Sequence, residues 1–140
     1  MTRPRIVLDL RLRTQGGVSN YIRHLLPHVR AAGEGHEFAI VKLAGQEVPE
    51  AAGLETITCP TRNMAAAIAW EQAVLPRLLR RAGADLYHAL KLPGPYTAAC
   101  PVIRTAHSIT SSFRGTFPVS RRQRAYWITF GNHIFRNSTA

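Results

Sequence analysis

A chain of 140 residues with a formal net charge of +10, 46% hydrophobic and 19% charged residues fits one globular domain, able to bury about 70% of its extended surface on folding. That balance excludes a disordered segment, and no apolar run approaches the ~20 residues that a bilayer-spanning helix needs. Cys59 and Cys100, each followed by a proline, offer neither metal-ligand spacing nor a disulfide framework, which points to two passive thiols in a reducing compartment.

The positive charge is concentrated at Arg3/Arg5, Arg11/Arg13, Arg77/Arg80/Arg81 and Arg121/Arg122/Arg124. A surface of this sign attracts nucleic acid, anionic lipid or phosphorylated small molecules. The chain has no RNP aromatic motif, zinc knuckle or helix-turn-helix spacing, so no nucleic acid partner is expected. Basic helix ends could instead hold a soluble protein beside an anionic bilayer, at around 1 kcal/mol per charge. The first residues run straight into a strand and leave no room for a signal peptide. The expected location is the cytoplasm, with peripheral contact at the inner membrane surface as a further expectation.

The opening RIVLDLRLRTQGGVSNY sets the pattern. Ile6, Val7, Leu8 and Leu10 read as a strand buried on both faces of a parallel sheet. Gly16-Gly17 marks a turn, and a helix follows from about Val18 to Ala32, with Gly33 as its stop. Val18, Tyr21, Ile22, Leu25 and Val29 recur at steps of three and four and should share its inner face. Pro27 falls on the outer face, where a kink would bend the helix around the sheet. His24 and His28, one turn apart, read as surface residues in the absence of further metal ligands.

The spacing then predicts a strand over His36 to Leu43, a loop from Gly45 to Gly53 and a short strand over Leu54 to Cys59. Asn63 caps a helix carrying Met64, Ala67, Ile68 and Val74. Leu75 and Leu78 continue that pattern as far as Gly83, and Pro76 makes it either one kinked helix or two. Asp85 to Leu90 is a fourth strand, LPGPY a loop and Val102 to His107 a fifth strand. A loop from Ser108 to Pro118 leads to a last helix, about Ser120 to Arg136, with a stripe of Tyr126, Trp127, Phe130 and Ile134. Alternating strands and helices predict an α/β domain, Rossmann-like, with three αβα layers and a mostly parallel, right-handed sheet. A helix that late calls for another strand, so the chain is expected to be part of a domain with its fifth strand at an edge.

Folds of this kind bind ligands outside the carboxyl end of the first strand. The amides of Gly17, Val18 and Ser19 would emerge at a helix N-terminus, where the dipole favours an anion such as phosphate. Glycine there would allow positive φ and close approach of a ligand. The alternative is a tight connection and nothing more, since the pair lacks the full GxGxxG fingerprint.

Four blocks together give the sequence a familiar look. Asp9-Leu10-Arg11 with Gly16-Gly17-Val18-Ser19-Asn20-Tyr21 and Leu25-Leu26-Pro27 is the first. Glu71-Gln72 with Leu75-Pro76 is the second, and Asp85-Leu86-Tyr87-His88 with Pro93 the third. The fourth is Pro101-Val102-Ile103-Arg104-Thr105-Ala106-His107, after which Tyr126-Trp127 stands as an aromatic pair. In this order, and over nearly all of the chain, they resemble the N-terminal domain of GT-B fold glycosyltransferases, in particular the retaining family-four (group-1) type. One departure is Ser108, where that family has an aspartate.

The resemblance implies transfer of a hexose from a nucleotide-diphosphate sugar to a glycan or lipid-linked acceptor, with no metal or other cofactor. It implies that this half of the GT-B fold is the acceptor side. A separate C-terminal half, absent from these residues, would hold the sugar nucleotide, so the chain alone should be inactive. It places Gly16, Gly17, Val18 and Tyr21 at the donor phosphate or acceptor, and His107 beside the donor sugar as the catalytic-site residue. Arg11, His88, Pro93 and Ser108 would border the acceptor side. Two other readings stay open: a non-catalytic phosphate- or nucleotide-binding α/β module, and a basic membrane-surface binding protein.

Overall fold

The computed structural model describes residues 3–12, 16–90 and 94–105. The apolar run at the start becomes β1 (Arg5–Asp9), followed by α1 (Gly17–Ala32) and β2 (Glu37–Leu43). After β3 (Glu55–Cys59) come α2 (Met64–Ala73) and α3 (Leu75–Arg81), then β4 (Leu86–Ala89) and β5 (Val102–Arg104). The five strands form one sheet in the order β3-β2-β1-β4-β5, every neighbouring pair parallel. The fold is thus a Rossmann-like three-layer α/β arrangement. Its strand order reverses direction at β1, so the crevice between the segments leaving β1 and β4 is the topological switch point.

Side chains alternate across the sheet as period two demands. Val7, Ala39, Val41, Tyr87 and Ala89 pack with Leu75 and Leu79 beneath α2 and α3. Leu8, Leu10, Ile40 and Leu90 face the other way and meet Ile22 and Leu26 of α1. Burying these side chains on both faces, at roughly 1.5–3 kcal/mol each, is the main force holding the layers together.

The inner stripe of α1 differs from the expected one at a single place. Ile22 and Leu26 are buried and Val18, Leu25 and Val29 pack against them, but Tyr21 lies off the stripe and is 42% exposed. Ser19, only 4% exposed, takes the inward position instead. Pro27 faces out and α1 runs through it. Gly33 ends the helix with φ −92 rather than in the left-handed conformation expected of a C-terminal glycine. Its lack of a side chain matters for packing, because a Cβ there would come 2.4 Å from the Phe38 ring.

β2 and β3 are joined by a segment with only a 3-10 turn, Pro49–Ala51, where a plain loop was expected. Gly45 and Gly53 bracket it at φ +68 and +80, positions that side chains rarely tolerate. The alternative of two helices, not one kinked helix, is realised after β3. α2 stops at Val74, and α3 restarts with Pro76 in its first turn, where a missing N–H costs little.

At the amino edge of the sheet, Arg5 bonds Glu37 and Glu55 across the three strands and donates to the Ala82 carbonyl at 2.8 Å. One arginine of the basic clusters is therefore a structural tie. The last part of the predicted fifth strand and the predicted helix from Ser120 to Arg136 lie outside the described residues.

Asn63 Oδ1 accepts a hydrogen bond from the Ala66 amide at 3.1 Å, as predicted for the α2 cap. Asn63→Ala should therefore destabilise the protein by about 1 kcal/mol, read as a lower urea midpoint at unchanged slope. An unchanged midpoint would remove the cap from the account.

Candidate functional site at the carboxyl edge of the sheet

Strand alternation turns Asp9, the last residue of β1, toward α2. There it is 5% exposed, a costly place for a carboxylate unless it is paired. Arg11 supplies the partner. Its Nε donates to Asp9 Oδ1 at 2.9 Å and its Nη2 to Asp9 Oδ2 at 2.6 Å, the two-pronged geometry that guanidinium groups favour. The backbone amide of Arg11 also donates to Asp9 Oδ1, at 3.1 Å. From the opposite side Tyr87 of β4 donates its hydroxyl to Asp9 Oδ2 at 2.6 Å.

Glu71, from the last turn of α2, completes the cluster. Its Oε2 pairs with Arg11 Nη2, and the guanidinium carbon stands 5.6 Å from the Trp70 ring centroid. Gln72 extends the network outward. Its Nε2 donates to Glu71 Oε1 at 3.0 Å and to the Gly94 carbonyl at 3.2 Å, while its Oε1 accepts from the Tyr96 amide at 2.9 Å. The segment leaving β4 is thereby fastened to α2, and α2 to the segment leaving β1. Gly94 has φ +72, and a Cβ on it would come 2.9 Å from that of Ala89, so this turn needs glycine.

One guanidinium faces two buried carboxylates. Burial pushes the Glu71 carboxyl above its ordinary value and nearby Asp9 adds to this, against the opposing pull of Arg11. Burial also holds the Tyr87 hydroxyl well above its usual value, with Asp9 reinforcing the effect, so it remains a donor. The charge on Arg11 outweighs its desolvation through Asp9 and Glu71, and its pKa is raised.

His88 points to the opposite face of the sheet from Tyr87. It is half-buried, desolvation lowers its pKa, and its Nε2 lies 2.9 Å from Thr105 Oγ1 beyond the end of β5. Arg104 donates to the Pro95 carbonyl at 2.8 Å, tying β5 to the same loop.

Gly16 and Gly17 open α1. Gly16 is extended rather than left-handed, at φ 164 and ψ −171, and Gly17 is helical without positive φ. A Cβ at either residue would meet nothing within 4 Å among the described residues. The positive φ that glycine would allow is thus not used at either position, and among the described residues neither backbone torsion nor packing requires glycine there. Among the described residues no side chain caps this helix, and its first turn holds no acidic residue. The Asn20 amide is the one that bonds the Gly16 carbonyl, at 3.0 Å, so the amides of Gly17, Val18 and Ser19 precede it at the dipole's positive end.

Of the residues singled out in the sequence, Gly16, Gly17 and Val18 stand at the start of α1, with exposed Tyr21 on its first full turn. Arg11 is drawn into the buried cluster, and His88 occupies the other sheet face. Pro93, His107 and Ser108 lie outside the described residues. Asp9, Glu71, Gln72 and Tyr87 enter the network although none was proposed as a site residue. Their signal was present in the Asp-x-Arg, Glu-Gln and Asp-x-Tyr-His blocks, but nothing in the spacing paired them. Among the described residues no group of three or more His, Cys, Asp or Glu side chains is placed to share a metal ion, and no helix is long and apolar enough to cross a membrane.

Two measurements follow. A raised folded-state pKa means that the contribution of Glu71 to stability is complete below its unfolded value of 4.5 and is lost as pH rises through the folded value. Stability of Glu71→Gln relative to the native protein should thus improve steadily from pH 4.5 toward neutrality; a pH-independent difference would contradict it. Gly17→Ala should stabilise the fold by up to about 1 kcal/mol, because alanine is the better helix former and its methyl group meets none of the described residues. A lower melting temperature would show that Gly17 is required by the fold. Compared with protein-family models, with curated proteins and with solved structures, the chain matches none.

Proposed function

We propose that this chain is the acceptor-side lobe of a retaining glycosyltransferase, which moves a hexose from a nucleotide-diphosphate sugar to a glycan or lipid-linked acceptor. The observation that carries the reading is the meeting of the four sequence blocks that resemble such enzymes. Arg11 and Glu71 join the first to the second, and Gln72 joins the second to the loop of the third. Tyr87 bonds back to Asp9, and His88 meets Thr105 of the fourth. All of these contacts lie toward the carboxyl edge of the sheet, where α/β folds bind ligands.

The start of α1 gives this reading its chemistry. Among the described residues nothing comes within 4 Å of a Cβ at Gly16 or Gly17, and the three helix-start amides there suit a diphosphate oxygen or an acceptor phosphate. Charge building on a departing diphosphate is stabilised by such preorganised donors. The buried cluster acts at one remove, holding the segments on either side of the crevice in register. His107, by the resemblance, would stand beside the donor sugar. The basic helix ends suit a protein working against an anionic inner membrane surface.

The donor nucleotide would rest mainly on a second lobe. Calorimetry of the 140-residue chain with UDP, GDP and ADP should therefore give no micromolar binding; such binding would favour the non-catalytic nucleotide module. In the same reading, the full reading frame encodes an E-x7-E segment within roughly one further domain, ~150 residues, and its product transfers hexose. Gly17→Ala in that product should lower transfer without lowering stability, and an unimpaired rate would remove the helix start from the site.

A further inference from the structure

A second feature lies on the outer surface of α2 and α3, across the sheet from α1. A helix laid on a sheet ordinarily turns charged and polar side chains to the water. α2 does not. Ala67 and Glu71 point inward, and the face opposite them consists of Ala65, Ala66, Ala69 and Ala73, all exposed. Met64, 56% exposed, and Val74, 36% exposed, stand at its two ends as large apolar side chains left in contact with solvent.

α3 continues this surface with basic residues. Leu75 and Leu79 are buried, and Arg77, Arg80 and Arg81 occupy the outward positions, all exposed. Among the described residues these three side chains make no ion pair or hydrogen bond. From residue 60 to 84 the only acidic residue is Glu71, already engaged by Arg11 in the buried cluster. The rest of the chain does not supply the missing counter-charge. All eight of its acidic residues lie in the described part, so the other segments add no negative charge. Glu37 and Glu55 pair with Arg5, and Asp85 accepts from the Arg5 amide at 2.7 Å. Asp9 is bound to Arg11, Glu34 follows α1, and Glu47 and Glu50 lie beside it.

An apolar strip that runs into uncompensated arginines matches the boundary of an anionic bilayer. That boundary takes aliphatic side chains at the acyl level and basic ones at the headgroups, and the long arginine stems span the difference. A nucleic acid would find the arginines but nothing to bond along the alanine face. We infer that α2 and α3 together are the face by which this chain docks on an anionic lipid surface. Arg77, Arg80 and Arg81 meet lipid phosphates there, and Met64 and Val74 meet the acyl boundary. The inference rests on the membrane contact in the proposed function and is independent of sugar transfer.

The test is flotation of the full chain with vesicles of phosphatidylcholine alone, and with vesicles containing about one third phosphatidylglycerol. The chain should float with the anionic vesicles only. The pair Arg77→Gln and Arg81→Gln, checked for a native-like spectrum, should weaken that binding about twentyfold. The charge-matched pair Arg23→Gln and Arg30→Gln, on α1, should weaken it less than about threefold, because charges beyond a Debye length of the lipid are screened. Ala69→Glu, a good helix former at an exposed position, should weaken it about fivefold or more. If the native chain ignores anionic vesicles, membrane contact and this face fall together. If it binds them but the α3 pair has no more effect than the α1 pair, or Ala69→Glu has none, this face alone is overturned. Tighter binding to poly-L-glutamate or double-stranded DNA than to anionic vesicles, at matched charge concentration, would overturn the lipid assignment. None of these outcomes bears on the nucleotide and transfer measurements.

Discussion

Arg11 is the point on which the carboxyl edge of this sheet depends. A single guanidinium is shared between two acidic groups that the packing has already removed from water, Asp9 at the end of β1 and Glu71 at the end of α2. Each carboxylate alone would carry a desolvation penalty of several kcal/mol. Together with Tyr87 from β4 they form a network in which every member is oriented by another. Such networks stabilise little compared with an apolar core of the same volume. What they supply is definition, because removing one partner leaves a buried charge exposed to nothing.

That definition has a location. The hydrophobic clusters on the two faces account for the layered fold, and they would do so whatever followed the strands. The ion network and its extension through Gln72 reach from the strands, at Asp9 and Tyr87, to the segments past their ends, where the chain would otherwise be free to vary. They fix the segment after β1 against α2, and the segment after β4 against α2 as well. Positioned loops on a rigid sheet are how folds of this type build ligand sites. The start of α1, which no described side chain caps and where no described residue demands glycine, follows the first of those segments in the chain.

The layered fold could be read from the sequence because period-two and period-3.6 patterns are local. Ile6 to Leu10 and the stripe through Ile22 and Leu26 announce their elements without help from distant residues. The exchange of Tyr21 for Ser19 on the inner face was hidden, since both flank the stripe and only the close approach of α1 to the sheet selects the smaller. The reason for Gly33 was hidden too, as the Phe38 ring that excludes a side chain there belongs to the next strand. The buried cluster was the least accessible part. Asp9, Glu71 and Tyr87 come from three distant stretches, and their encounter depends on the crossover that carries α2 under β1. Sequence blocks marked which residues to watch but not that they touch.

The account stands or falls on whether those blocks are physically coupled through Arg11. A double-mutant cycle of Arg11→Met and Glu71→Leu, followed by urea unfolding at neutral pH, measures this. The account predicts that the double variant is more stable than the two single losses would sum to, with a coupling of at least about 1 kcal/mol, as for neighbours in one ionic network. Additive losses within about 0.5 kcal/mol, the behaviour of independent sites, would mean that the two blocks do not act together and would contradict it.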